Sequence, residues 1–259
     1  MKRLFMIMAL VAVVFTAQAW TRDADQGVRL FARGHLTESA LKEYKAIMRL
    51  MKQYPREKVT PPTDKRWNKV SLDANLQSNT TYEGDIVVRL ERAAEVLRNR
   101  ANHSDKEKVE ALRTILYNMV SLHHISLVRI EGNAKSEGFT IYSHPGEMAE
   151  LEEKYNKSRK SSWAQLWGRG ATINYYGFTP DMFAEELRIC HGADKEAFSA
   201  GTIRDWAADM GRECSAQLEW ATPDMKLYTI QRIALVPVHN RLMAKAGYRL
   251  AALLNDVLK

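Results

Sequence analysis

The chain has 259 residues, with 38 Lys and Arg against 31 Asp and Glu, a formal charge of +7. That length supports one large, well-buried core, and the modest positive excess is compatible with a polyanionic partner without demanding one. No apolar run approaches the roughly 20 residues of a membrane-spanning helix, which argues against stable membrane insertion, and the two cysteines form no C-x-x-C spacing, which argues against a cysteine metal site.

Residues 1–19, MKRLFMIMALVAVVFTAQA, read as a signal peptide. Lys2 and Arg3 form a basic start, Leu4 to Phe15 an apolar stretch, and Ala17-Gln18-Ala19 a cleavage site. Cleavage there predicts export to the periplasm or the extracellular space. It leaves 240 of the 259 residues, takes the formal charge from +7 to +5 by removing Lys2 and Arg3, and makes Trp20 the new N-terminus. A free α-amine beside its own carbonyl oxygen can chelate a metal ion.

The remainder reads as helical. Thr37-Glu38 opens an amphipathic run to about Met51. Residues 52–81 are polar and rich in Pro, Thr and Asn, and read as a long surface loop. Ser104-x-x-Glu107 is a capping box ahead of an apolar helix over 105–129. Phe139 to Tyr142 is the one segment that reads as a strand. Thr179-Pro180-Asp181-Met182 and Thr222-Pro223-Asp224-Met225 repeat one helix-start signal: Thr caps, Pro fits the first turn and Asp complements the dipole. From Leu227 through Ile230, Ala234, Val238, Leu242, Ala246, Leu250 and Leu253 to Val257, apolar residues step by three or four. They predict a central helix over 223–258, kinked at Pro237. No linker divides the chain. In an oxidising compartment the pair Cys190 and Cys214 invites a disulfide, the alternative being two buried thiols. The sequons at Asn79, Asn102 and Asn156 matter only on a eukaryotic secretory route.

Four stretches resemble the zinc-dependent, single-strand-specific nucleases of the S-one/P-one family. Trp20 to Thr37, WTRDADQGVRLFARGHLT, is similar to a family start W-x4-H-x2-V-x2-I-A followed by a Leu-Thr helix start. Arg66-Trp67 falls in a long loop before an Ala/Leu helix. Tyr117 to Tyr142, YNMVSLHHISLVRIEGNAKSEGFTIY, resembles a helix bearing H-x3-D-x-H-Q-P-L-H, then a glycine-asparagine loop and a short strand. Ala246 to Asn255, AGYRLAALLN, resembles the family's last helix, and Ser162 to Trp167, SWAQLW, a helix ending N-L-H-x2-W-D. The resemblance implies an all-α fold, one helical domain over residues 20–259 like that of the zinc phospholipase C and single-strand nuclease enzymes, with at most a short β-hairpin. It also implies phosphodiester hydrolysis by three zinc ions and single-stranded nucleic acid or nucleotides as partners.

Carried over position by position, the ligand set is depleted. Trp20 is retained, but the His five residues later is Asp25. The next ligand position falls at Leu72, with Asp73 beside it. The H-x3-D pair, which a helix would set one turn apart on one face, becomes Asn118 and Leu122. The last His of H-Q-P-L-H is Val128, and only its first survives, as His124. The His and Asp of the other helix become Ala164 and Gly168. The aspartate of the family's W-A-D segment has no counterpart. Trp20 and Asp25 remain as a vestigial site for at most one weakly bound metal ion. Trp20 otherwise packs in the core, and Asp25 otherwise pairs with the α-amine or an arginine.

Other residues read as structural. Adjacent histidines on a helix point about 100° apart, so His123 and His124 read as one packed and one exposed. His144 and His191 have no partner at ligand spacing. Arg129, Lys135, Arg159, Lys160 and Arg169 flank the former cleft in sequence, as phosphate contacts or as solvated surface. Trp163, Trp167, Trp206 and Trp220 read as packing, with one exposed ring as a possible base-stacking platform. Two functions stand against each other: an exported, catalytically degenerate nuclease-like binding protein, and an active metal-dependent phosphodiesterase with a reduced site.

Overall fold

A computed structural model describes residues 20–55, 62–143, 159–170 and 177–259. Residues 1–19, read from sequence as a signal peptide, His144 and the sequon at Asn156 lie outside the described residues. Among the described residues the chain is mostly helical, with two small sheets, and no helix is long and apolar enough to cross a membrane.

Helix α1 (Arg22–Arg33) begins at Thr21, whose hydroxyl accepts from Ala24 N, and α2 (Glu38–Leu50) begins at Thr37 in the same way. Strand β1 (Val70–Leu72) interrupts the segment read from sequence as loop. Asp85 caps α3 (Ile86–Arg98) through Val87 N and also accepts from Ser71 N at 2.8 Å, tying the strand to the helix start. The capping box of Ser104 and Glu107 opens α4 (Asp105–Leu122) as read from sequence. The helix ends at Leu122 rather than at 129. A 3₁₀ turn and strand β2 (Val128–Ile130) follow, and β2 pairs in parallel with β1, Val70 opposite Val128 and Leu72 opposite Ile130.

Strands β3 (Thr140–Ser143) and β4 (Arg159–Ser162) are antiparallel, and β5 (Lys226–Leu227) joins β3 in parallel. Two small sheets therefore stand where at most a short hairpin was expected. Thr179 caps α5 (Pro180–His191) with Pro180 in the first turn, as the motif predicts. The short α6 (Lys195–Ser199) and the long α7 (Ile203–Trp220) follow. The second T-P-D-M motif does not start a helix. Asp224 takes a left-handed conformation, φ 60°, and donates its N–H to Thr140 O at 2.8 Å, so the segment serves the sheet.

The helix expected over 223–258 is likewise divided into β5, α8 (Thr229–Ile233) and α9 (Val236–Val257). Pro237 lies in the first turn of α9, where a missing N–H breaks no helical bond, so it starts a helix instead of kinking one. Ile230 and Ile233, assigned to the buried stripe or near it, are exposed on α8. From Leu242 onward the stripe holds: Leu242, Ala246, Leu250, Leu253 and Val257 are all buried, and α9 packs against α1, α3, α4, α5 and α6. Gly247 permits this closeness, because a Cβ there would lie 2.5 Å from Phe31 Cδ1 of α1.

Candidate functional site

The start of α1, the end of β1, the end of α4 with β2 beyond it, and the turns Trp163–Gln165 and Leu166–Gly170 carry the residues singled out by resemblance. Trp20, immediately before α1, is buried, and its ring lies 6.1 Å from that of His124. Asp25, on the first turn of α1, is also buried, and its Oδ1 has no hydrogen-bond partner. Burial pushes its carboxyl up to about 6, against the opposing charge of Arg29.

The positions corresponding to zinc ligands are filled by other chemistry. Leu72, Leu122 and Val128 are buried apolar side chains. Leu72 packs against Gly211 of α7, and Val128 is locked in the β1–β2 ladder. Asn118 is fully buried, and neither of its amide atoms has a partner. Asp73 builds a turn: its carboxylate accepts from Asn75 N at 2.9 Å, Gln77 N at 2.8 Å and Asn79 Nδ2 at 2.9 Å. Ala164 is exposed, so the structure does not bring that position inside, whereas Gly168 is buried in the π-helical turn Leu166–Gly170.

Both adjacent histidines are buried, against the expectation of one packed and one exposed. The reason is the early end of α4. His123 caps the helix, and His124 has extended backbone. His123 Nδ1 lies 2.8 Å from Met119 O and its Nε2 lies 3.0 Å from Arg249 Nη1. The carbonyl only accepts and the guanidinium only donates, so the ring is neutral with its proton on Nδ1. Burial, then the Arg249 charge, hold its titration well below the usual histidine range. His124 pairs with Ser126 Oγ at 2.8 Å.

Beyond His123 runs a charge network between α7 and α9. Arg249 Nη2 donates to Asp209 Oδ2 at 2.6 Å, and Lys245 Nζ donates to Asp209 Oδ2 at 2.8 Å and Glu213 Oε1 at 2.9 Å. Burial alone would raise the Asp209 carboxyl, but the Lys245 hydrogen bond and the Arg249 charge hold it at about 2. The sequence carries a signal for this network that the apolar stripe concealed: acids four apart on α7, Asp209 and Glu213, oppose bases four apart on α9, Lys245 and Arg249. His239 was missed as well. It sits amid Leu235, Val236 and Val238, fully buried, with its ring stacked 4.7 Å from that of Trp167. Burial, then the charge of His124, push it down to about 3.

The expected disulfide does not form: both cysteines are free thiols. Cys214 is buried on α7 with its Sγ 3.7 Å from Ile125 O, and burial pushes the thiol up to about 12. Cys190 is exposed near the end of α5 and contacts Glu186 Oε1 at 3.4 Å. Two of the flanking bases are structural. Arg129 donates to the carbonyls of Ser126 and Val128, at 2.9 and 2.8 Å. Lys135 donates to Leu218 O at 3.0 Å and Ala221 O at 2.8 Å, neutralising the C-terminal end of α7. Arg159 and Lys160 are exposed on β4, and the Arg169 side chain lies outside the described residues. His191 does have a partner, Asp194 Oδ2 at 2.7 Å. Trp163, Trp167 and Trp206 are buried, whereas Trp220 is partly exposed.

Among the described residues no group of three or more His, Cys, Asp or Glu side chains is placed to hold one metal ion. Zinc takes three or four thiolate, imidazole or carboxylate ligands. Of the carried-over positions only Trp20, Asp25, Asp73 and His124 offer such donors or a terminal amine; Asp73 is taken up by its turn and His124 already engages Ser126. This donor set does not fit a three-zinc centre. No protein-family model matches the chain, and no curated protein matches it.

Proposed function

We propose that the chain is an exported helical protein on a nuclease-like scaffold, one that has lost three-zinc hydrolysis and binds single-stranded nucleic acid or nucleotides without cleaving them. The observation that carries the reading is the burial of Leu72, Leu122 and Val128, all within the core. Apolar side chains fill positions where the resemblance expects ligands, and apolar surface cannot replace the metal-activated water and clustered positive charge that phosphodiester cleavage requires.

The binding half of the reading is supported by β4 and its neighbour. Arg159 and Lys160 are exposed on that strand. Trp163, which follows it, lies 6.0 Å from the partly exposed ring of Trp220. A cationic strand beside an accessible indole suits a phosphate contact next to a stacked base.

Anisotropy of a labelled single-stranded oligonucleotide tests this. Binding is expected to weaken as salt rises and to weaken in Trp220→Ala and in Arg159→Ala/Lys160→Ala. Failure to bind at low salt, or binding unchanged in all these variants, would remove the nucleic-acid part of the proposal.

A further inference from the structure

Arg66-Trp67, which the resemblance uses only to mark a loop, belongs to a tightly held turn. Trp67 N donates to Asp64 O at 3.0 Å. Asp64 Oδ1 accepts from Arg66 N at 2.8 Å and from Nε at 3.2 Å, and Oδ2 accepts from Nη2 at 2.9 Å. The two side-chain bonds form a fork in the guanidinium plane. One face of that plane rests on Tyr82, with Cζ 4.4 Å from the ring centre. An exposed arginine ordinarily keeps much of its rotamer freedom. Arg66 is fixed at its edge and from beneath, yet its side chain is 67% exposed, so the opposite face is open to solvent.

A second pair stands beside the first. The Arg89 guanidinium of α3 lies 4.9 Å over the Trp67 ring, and Arg89 Nη1 donates to Asn68 Oδ1 at 3.3 Å. The Trp67 and Tyr82 rings meet over Gly84, where a Cβ would lie 2.6 Å from each. Asn68 N donates to Gly84 O at 2.9 Å and ties the two segments together. Its backbone is left-handed, φ 57°, a conformation asparagine tolerates.

This geometry selects what lands on Arg66. A phosphate forks onto a guanidinium through its N–H edge, and the Nε–Nη2 edge already holds Asp64. The Asp64 charge also offsets that of the guanidinium. What remains is a flat, ordered, open face, which suits a planar ring. We propose that this face of Arg66 is a stacking platform for one unpaired nucleobase, with the exposed neighbour Lys65 as its phosphate contact. Unpaired bases stack on guanidinium planes, whereas bases inside a duplex have no free face. The inference rests on the nucleic-acid or nucleotide binding proposed above and adds a base contact remote in sequence from β4.

NMR titration of the purified protein tests it, with a single-stranded oligonucleotide, a duplex of the same sequence and a purine nucleoside monophosphate. The Arg66 Nε–H resonance, assigned by its loss in Arg66→Lys, should shift by ring current with the single strand or the monophosphate and not with the duplex. Arg66→Lys keeps the charge and removes the plane. It should weaken binding of the ligand that shifts the resonance by about fivefold or more, the low end for one base stack, and leave the salt slope unchanged. A shift with the monophosphate alone assigns the platform to free nucleotides. Failure of the parent to bind the oligonucleotide removes the strand from the proposed function and leaves the platform to the monophosphate. An unshifted resonance with both ligands, an equal shift with the duplex, or parent affinity in Arg66→Lys overturns the platform.

Discussion

Replacing Asp209 by Asn isolates the one acid shared by both buried bases of α9. Asp209 Oδ2 accepts from Arg249 at 2.6 Å and from Lys245 at 2.8 Å, and the side chains of those bases are only 5% and 10% exposed. Asparagine keeps the shape but removes the charge. Glu213 still serves Lys245 at 2.9 Å, whereas Arg249 retains only His123 Nε2 and Phe198 O as acceptors, both uncharged. Breaking a buried ion pair from one side costs about 3–5 kcal/mol, because a desolvated charge is stranded. Urea denaturation at pH 7 should therefore show a loss of that size with an unchanged m-value. The pH dependence follows from the same group. Its folded carboxyl titrates at about 2 against a usual 3.8, so its contribution is fully present above 3.8 and is lost as pH falls through 2. A shift near two units corresponds to about 2–3 kcal/mol. A loss below about 1 kcal/mol in Asp209→Asn would refute the reasoning, since a pair so cheaply broken behaves as a solvated surface bridge.

Other outcomes follow from single sites. Leu242→Ala should cost about 2–5 kcal/mol in chemical denaturation, since Leu242 is buried in the middle of α9; a smaller loss would place that helix outside the core. His239 binds its proton at about 3 when folded and at 6.5 when unfolded, so the unfolded state takes up more protons between these values. Stability from this group is complete above pH 6.5 and declines as pH falls toward 3, and a Tm profile of His239→Leu should be flatter over that window. Asp25 acts oppositely: its raised titration, about 6 against 3.8, gives a contribution complete below 3.8 and lost as pH rises through 6, which Asp25→Asn should abolish. Thiol labelling of denatured, unreduced protein should find two free cysteines, and in the native state Cys190 should react ahead of Cys214; finding none would restore the disulfide.

Local signals were legible in the sequence where neighbouring residues decide the outcome. The boxes at Ser104/Glu107 and Thr179-Pro180 open helices because their hydrogen bonds close within four residues. The second T-P-D-M motif fails because a distant strand takes the Asp224 N–H, a competition no local pattern contains. Strands of two to four residues, such as β1 and β5, have too few positions for an alternation to register and exist through pairing with remote partners. The apolar stripe running from Leu227 overran two element boundaries, since periodicity cannot tell a Pro that starts a helix from one that bends it. At the candidate site, the chemical identity of each residue was readable and its burial was not. Asn118 and His239 are polar residues whose significance lies in having no protein partner, and that emerges only when α1, α4 and α9 are packed together.

Hydrolysis of single-stranded DNA and RNA, at mildly acidic and neutral pH with zinc added, tests the central claim most directly. The protein purified with Trp20 at its N-terminus, run beside Asp25→Ala, should give no cleavage above the buffer control in either form. Robust cleavage by the parent that disappears in Asp25→Ala would contradict the account and establish a working metal site at Trp20 and Asp25.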